Sequence, residues 1–295
     1  MHGSDGPYTV VPQGRPTGAA AILGAVSASA ADTLPERLRP LTEAPQRSAV
    51  LCDVDGVLAP IVERAEQAAV PQEVSRLLGQ MARRYRCVAC VSGRSATEAR
   101  RLVGVGGIAY AGSHGAELLE PGSSVTRMMP AFEEWTDRVH AFVDDRDLRS
   151  LRSRRVRVED KGAIMAFHWR GAPDEEAALA HVEDIAAEAE KAGLATHWGR
   201  KVLEVRPPVP VDKGIPVREL VRSSGVTRAI YGGDDVTDLD AFAALDALVE
   251  AGDLEMAIRV GVRSDDGPKA IVERADIAVD GPQGFASLLT VLAES

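Results

Sequence analysis

Cysteine is scarce in this chain, with Cys52, Cys87 and Cys90 the only three in 295 residues, so no disulfide framework is expected to hold the fold. Cys87 and Cys90 have C-x-x-C spacing, but they fall inside Arg86-Cys87-Val88-Ala89-Cys90-Val91, which reads as a strand. Residues i and i+3 of a strand point to opposite faces, and no second Cys/His pair completes a zinc set. Buried thiols in a reducing compartment are expected instead. No hydrophobic run approaches the length of a membrane span. There is no basic stripe, and a net charge of −10 argues against a non-specific nucleic-acid binder. It does not exclude a small anionic substrate, because a metal can invert the field within a site. No internal repeat is present.

What remains is an ordinary soluble globular composition, 45% hydrophobic and 26% charged, long enough for one large or two medium domains. Residues 1–47 are rich in Ala, Gly, Ser and Pro without a sustained period and read as a flexible leader. Within it, Thr17 to Ala30 has some look of a signal peptide, ending in Ala28-Ser29-Ala30. The start carries Asp5 with only His2 and Arg15 as basic residues, and the apolar part is mostly alanine. Those features favour a cytoplasmic location.

The centre of the chain is Ser48-Ala49-Val50-Leu51-Cys52-Asp53-Val54-Asp55-Gly56-Val57-Leu58. A short apolar run ends in two carboxylates and a glycine, so a buried strand would deliver Asp53 and Asp55 together just past its end. The same four residues could also be a solvated Asp/Gly turn. Helical spacing of Val74, Leu77, Leu78 and Met81 follows, then strand Cys87–Val91 ending in Ser92-Gly93-Arg94, a helix from about Thr97, and strand Ile108–Ala111. Alternating strand and helix is the grammar of a doubly wound, Rossmann-like parallel sheet. From about Leu119 the rhythm changes to two strands, a long helix over Asp174–Ala192 and two more strands, ending at Pro207-Pro208. The parallel rhythm then returns, with Lys213 at a helix start and a strand leading into Gly233-Asp234-Asp235-Val236-Thr237-Asp238. The expected fold is therefore α/β: a core of residues 48–119 and 208–295, with a smaller α+β domain, 120–207, inserted.

Each core strand stops at groups that suit phosphoryl transfer. Asp53 and Asp234 are candidate ligands for magnesium, which takes hard oxygen donors. Ser92 and Lys213 could hold phosphate oxygens, and Arg94 adds a cation. Singly these have plainer readings: Ser92-Gly93 as a capped turn, Lys213 as the partner of Asp212, Glu159 and Glu204 as solvated strand residues.

Jointly, Asp53-Val54-Asp55-Gly56, Ser92, Lys213 and Gly233-Asp234-Asp235 resemble, in order, phosphatases of the haloacid-dehalogenase type. Ser92-Gly93-Arg94, Gly112-Ser113-His114-Gly115-Ala116-Glu117, Glu159-Asp160-Lys161, His168-Trp169-Arg170 and Lys201-Val202-Leu203-Glu204-Val205-Arg206-Pro207 narrow the resemblance to trehalose-6-phosphate phosphatases. That resemblance implies Asp53 as nucleophile and Asp55 as general acid and base. It implies magnesium on the Asp53 and Asp234 side chains and the Asp55 main-chain carbonyl, with Asp235 and Asp238 orienting Lys213 or metal-bound water. By the same resemblance Gly93, Arg94 and His114 would meet the substrate, and the inserted domain, 120–207, would be a cap domain closing over the sugar, with Glu159, Lys161, Arg170 and Glu204 binding the distal glucose. A monomer with a sugar-phosphate substrate, and no nucleic-acid or membrane partner, is expected. The alternatives are another sugar-phosphate phosphatase or a non-catalytic sugar-phosphate binder. Val57 and Leu239 depart from the family pattern, where threonine and an acid are usual.

Overall fold

The computed structural model describes residues 33–62, 67–146, 148–209, 212–264 and 267–295. Helix α1 (Leu34–Thr42) precedes β1 (Ser48–Cys52), α2 (Gln72–Arg84), β2 (Cys87–Val91), α3 (Ala96–Val103), β3 (Ala109–Gly112), β4 (Glu117–Leu119) and β5 (Thr126–Met128). An insertion follows: α4 (Pro130–Asp144), α5 (Leu148–Ser153), β6 (Arg157–Asp160), β7 (Met165–His168), α6 (Glu175–Lys191), β8 (Ala195–Gly199) and β9 (Val202–Arg206). The chain then runs through α7 (Gly214–Ser224), β10 (Arg228–Gly233), α8 (Asp238–Glu250), β11 (Met256–Arg263), α9 (Lys269–Glu273), β12 (Ile277–Asp280) and α10 (Gly281–Glu294).

Eight strands form one sheet in the order β12-β11-β10-β1-β2-β3-β4-β5. Its first six are parallel, and β4 and β5 extend it antiparallel. Every residue of β1 is buried, as a strand covered on both faces must be. Val50 and Cys52 pack with Leu38, Leu77 and Leu288 on one face. Ala49 and Leu51 pack with Val217, Phe242 and Leu245 on the other. Cys90 and Cys87 divide between those two clusters as the strand period requires, and all three thiols are free, with Cys87 only partly buried. Val57 is buried in the first cluster and Leu239 packs on the second, so neither departure removes a group from the cleft described below.

In α2, Val74, Leu77, Leu78 and Met81 form the buried stripe, each contributing about 1.5–3 kcal/mol by leaving water. Helix α3 starts on a capping box between Ser95 and Glu98 and ends at Gly104 in the left-handed region, which stops it cleanly.

Two sequence boundaries need correction. The leader expected to reach residue 47 does not: Leu38 and Leu41 of α1 are fully buried, and α1 packs on α10. Residues 1–32 lie outside the described residues. The core expected to stop at residue 119 also gains β5, which pairs with β4. Pro121-Gly122-Ser123-Ser124 is the turn of that hairpin, and the insertion begins with α4.

The insertion forms a separate antiparallel sheet in the order β6-β7-β9-β8, the cap. Phe167, Leu203 and Val205 face its helices, where they meet Val139, Val182 and Ile185. Strand alternation sends Glu204 to the opposite face, the face toward the parallel sheet. Among the described residues no helix is long and apolar enough to cross a membrane.

Candidate active site

Strand β1 has β10 on one side and β2 on the other, so the strand order reverses at its carboxyl end, where α/β crevices form. The Asp53 amide extends the ladder by donating to the Gly232 carbonyl at 2.9 Å. Gly56 then turns the chain with φ +80, its amide donating to the Ala59 carbonyl at 2.8 Å. A Cβ on Gly56 would lie 2.0 Å from Asp234 Oδ2. Glycine is thus required twice there, for its dihedral angle and for room beside a carboxylate.

Lys213, 2% exposed, stands at the start of α7 with its Nζ 2.6 Å from Asp53 Oδ2 and 2.7 Å from Asp238 Oδ1. Burial works against its charge, but the two carboxylates outweigh that and raise its pKa. Asp53 Oδ1 accepts from the Val54 amide at 2.6 Å. Burial pushes the Asp53 carboxyl up to about 7 despite Lys213. Asp234 rises to about 8, through burial and then the charges of Asp53 and Asp238. Asp238 is spoken for: it accepts from Lys213, from Tyr231 Oη at 2.7 Å and from the Asp234 and Asp235 amides at 3.0 Å each. Asp235 itself lines the cleft with Oδ1 on the Val236 amide at 2.6 Å, so it is Asp238 that holds Lys213.

The donor set fits a divalent cation. Asp53, Asp234 and Asp238 bring carboxylate oxygens within 4.8 Å of one another, the single such cluster among the described residues. Three carboxylates against one ammonium leave two formal negative charges in a buried place, which is unfavourable without a cation or bound protons. Asp234 Oδ1 is buried with no hydrogen-bond partner, a lone pair with no other use.

The next strand ends supply the second wall. Ser92 is fully buried behind the cleft, its Oγ accepting from the Arg94 amide at 3.2 Å. Arg94 makes a bidentate pair with Asp55 at 2.7 Å on both oxygens. Ser113 and His114 both hold positive φ, 51 and 54, a strained turn for residues with a Cβ. It is kept by bonds from the Ser113 amide to the Arg94 carbonyl, 2.7 Å, and from the His114 amide to the Ser92 carbonyl, 3.0 Å. The His114 ring lies on Gly93, where a Cβ would sit 2.7 Å from Nε2. Burial, then the charges of Lys213 and Arg206, lower the imidazole to about 4, so it is neutral. Glu117 braces both loops, accepting from the Ala96 amide at 2.8 Å and Ser113 Oγ at 3.2 Å.

Between this floor and the cap lies a cleft of about 1070 Å³. Asp53, Asp55, Gly93, Arg94, His114, Lys213, Asp234 and Asp235 reach it from the core, and Glu159, Lys161 and Glu204 from the cap. Glu204 Oε1 is 3.1 Å from Lys161 Nζ, and Oε2 accepts from Arg206 Nε at 3.0 Å. Burial opposes its charge, yet Lys161 and Arg206 hold the carboxyl down at about 2. Glu159 pairs with His168 Nε2 at 2.7 Å. Arg170 is not brought in: it is exposed, with Nη2 3.4 Å from the Arg200 carbonyl, because it lies beyond the end of β7. Sequence reasoning gave no site role to Arg157 and His168, which line the cleft, or to Tyr231, Glu117 and Arg206. Strand alternation from Glu159 would have placed Arg157 on the same face.

The trehalose-phosphatase family model matches residues 51–277. The chain is 34% identical over 262 residues to the trehalose-phosphate phosphatase of Mycobacterium avium (strain 104), covering 83% of this chain and 62% of that protein. It is 32% identical over 210 residues to the probable trehalose-phosphate phosphatase D of Arabidopsis thaliana, covering 65% of this chain and 55% of that one. The chain thus spans about 62% or less of the length of these curated relatives. Among solved structures, a trehalose-6-phosphate phosphatase related protein matches with TM-score 0.62 and 24% identity, over 83% of this chain and 97% of that one. A haloacid dehalogenase-like hydrolase from Bacteroides thetaiotaomicron matches with TM-score 0.54 and 13% identity, over 82% and 98%. Likeness at such identities establishes the fold.

Proposed function

The chain belongs to the trehalose-phosphatase family, and on that premise we propose that it hydrolyses trehalose 6-phosphate to trehalose and phosphate. The observation that carries this reading is the buried Lys213–Asp53 pair beside the unpartnered oxygen of Asp234. A carboxylate held between an amide and an ammonium keeps one orientation, which is what a nucleophile aimed at phosphorus needs. Asp53 forms a bond to phosphorus as the bond to the sugar oxygen breaks, and a protonated Asp55 gives that oxygen its proton. For this the Arg94 pair on Asp55 opens. Asp55 then takes a proton from the water that attacks the aspartyl-phosphate, returning Asp53. Lys213 holds phosphoryl oxygens, Asp238 keeps Lys213 in place, and Ser92, buried behind the cleft, steadies the Arg94 loop by accepting from its amide. Magnesium, held by the Asp53 and Asp234 carboxylates and the Asp55 main-chain carbonyl, would neutralise charge on the phosphoryl oxygens. On the cap, Glu159, Lys161 and Glu204 offer charged hydrogen-bonding groups to the distal glucose, and neutral His114 lines the same cleft.

The test is phosphate release from a panel of sugar phosphates and an aryl phosphate, with magnesium and with chelator. Trehalose 6-phosphate is expected to be the preferred substrate and chelation to abolish its turnover. No preference for it, or full activity after exhaustive chelation, overturns the reading.

A further inference from the structure

Lys161 sits at the tip of the β6–β7 hairpin, where the cap meets the parallel-sheet body. Met165, one turn of the hairpin onward, packs in the cap cluster, but Ala163 is fully buried in the core cluster with Met129 and Phe132. Gly162 has φ +79, and a Cβ there would lie 3.1 Å from Met128 Sδ, beside the sheet edge. Helix α4 makes the same crossing: Phe132 belongs to the core cluster, Val139, Phe142 and Val143 to the cap.

At this joint one side chain grips the tip. His140 of α4 places Nε2 2.9 Å from the Gly162 carbonyl and 3.4 Å from Asp160 Oδ1. A carbonyl only accepts, so Nε2 carries the proton and donates. Asp160 Oδ1 in turn accepts from the Gly162 amide at 2.8 Å, and the Lys161 amide donates to the Ile164 carbonyl at 2.9 Å. The backbone on both sides of Lys161 is therefore fixed, and its Nζ reaches Glu204 across the sheet at 3.1 Å.

We propose that His140 is a positioning residue for sugar recognition: by clasping Gly162 it sets the hairpin tip and so holds Lys161 against Glu204 in the cleft. This rests on the reading of Lys161 and Glu204 as sugar-binding groups. His140 touches no group of the phosphate site, so its loss is felt through Lys161 alone. Its side chain is 37% exposed, so replacement leaves the hydrophobic clusters intact.

The experiment compares wild type, His140→Ala, His140→Gln, Lys161→Met and the double variant on trehalose 6-phosphate and an aryl phosphate. His140→Ala is expected to lower kcat/KM for the sugar phosphate by about three- to tenfold, the scale of one hydrogen bond. Aryl phosphate hydrolysis stays unchanged, and His140→Gln, which keeps a donor at similar reach, recovers most of the loss. In the Lys161→Met background His140→Ala adds nothing, because the group it positions is gone. Equal losses on both substrates, an additive loss in the double variant, or no loss at all overturns the proposal. A wild type without preference for the sugar phosphate, or Lys161→Met without effect, overturns the sugar reading itself, and the His140 proposal falls with it.

Discussion

Asp53 shows how much of this site is decided by hydrogen-bond geometry around single atoms. Its two oxygens are committed to Val54 and Lys213, and an asparagine keeps that shape but neither attacks phosphorus nor binds a hard cation well. Asp53→Asn is expected to show no measurable multiple turnover while its circular dichroism and thermal midpoint stay near wild type. Measurable turnover by a clean preparation would remove Asp53 as nucleophile. His114 gives a pH prediction. The unfolded side chain binds its proton below about 6.5, the folded one only near 4, so between those values the unfolded state holds more protons. Stability is then fully present above about pH 6.5 and falls as pH drops toward 4, by at most about 1.4 kcal/mol per pH unit from this group. Urea titrations across that window are expected to show a shallower slope for His114→Asn, a residue that tolerates left-handed backbone; an unchanged slope contradicts the assignment. That Asp53, Asp55, Asp234 and Lys213 meet in one cleft was legible in the sequence because the acids follow strand ends and Lys213 opens a helix. Glu117 and Tyr231 were not: each acts on a partner made a neighbour only by folding, such as the Ala96 amide for Glu117, whereas Arg206 shares a strand face with Glu204 two residues before it. Arg170, which only the resemblance placed at the site, is exposed beyond the end of β7.

Among the elements, β1 and β2 could be read almost to the residue because a buried strand is a bounded apolar run. Helix α2 followed from its periodicity. Helix α1 escaped because it has nine residues with an internal proline and few apolar positions, set after an Ala- and Pro-rich stretch. Strands β4 and β5 have three residues each, too few for alternation to register, and their turn falls where the rhythm changes near Leu119. The packing of α1 has a measurable consequence. Leu38 is fully buried beside α10, so Leu38→Ala is expected to cost about 2–5 kcal/mol, transfer plus cavity. Equilibrium denaturation should show the loss, while kcat at 25 °C remains within about twofold because α1 contributes no group to the cleft. A loss below about 0.5 kcal/mol would mean that α1 is not part of the cooperative fold.

For the molecule as a whole, the parallel sheet supplies the reacting groups and the cap supplies a separately built face of charges across the cleft. Sequence alone located both layers but not their joint, which depends on Ala163 packing into the core cluster from a cap hairpin. The division of labour predicts a separation in kinetics. Glu204 lies in the cap sheet, 9% exposed, clamped by Lys161 and Arg206, and it is no partner of Asp53, Lys213 or Asp234. If it binds the distal glucose, Glu204→Ala removes a hydrogen bond to a charged group, worth about 1.5–3 kcal/mol in the transition state. That is about a tenfold to hundredfold loss in kcat/KM for trehalose 6-phosphate. Binding energy from a sugar remote from phosphorus serves to position the reacting centre, so kcat should fall together with any rise in KM. An aryl phosphate has no distal sugar, and its slow hydrolysis should barely change. Removing Glu204 also leaves the Lys161 and Arg206 cations facing each other, so Glu204→Gln, which keeps an acceptor oxygen, should lose less than alanine on the sugar substrate. Paired kinetics on both substrates with wild type and the two variants decide the matter. A loss of equal size on the aryl phosphate would place Glu204 in support of the phosphate site and leave the cap without its role in choosing the sugar.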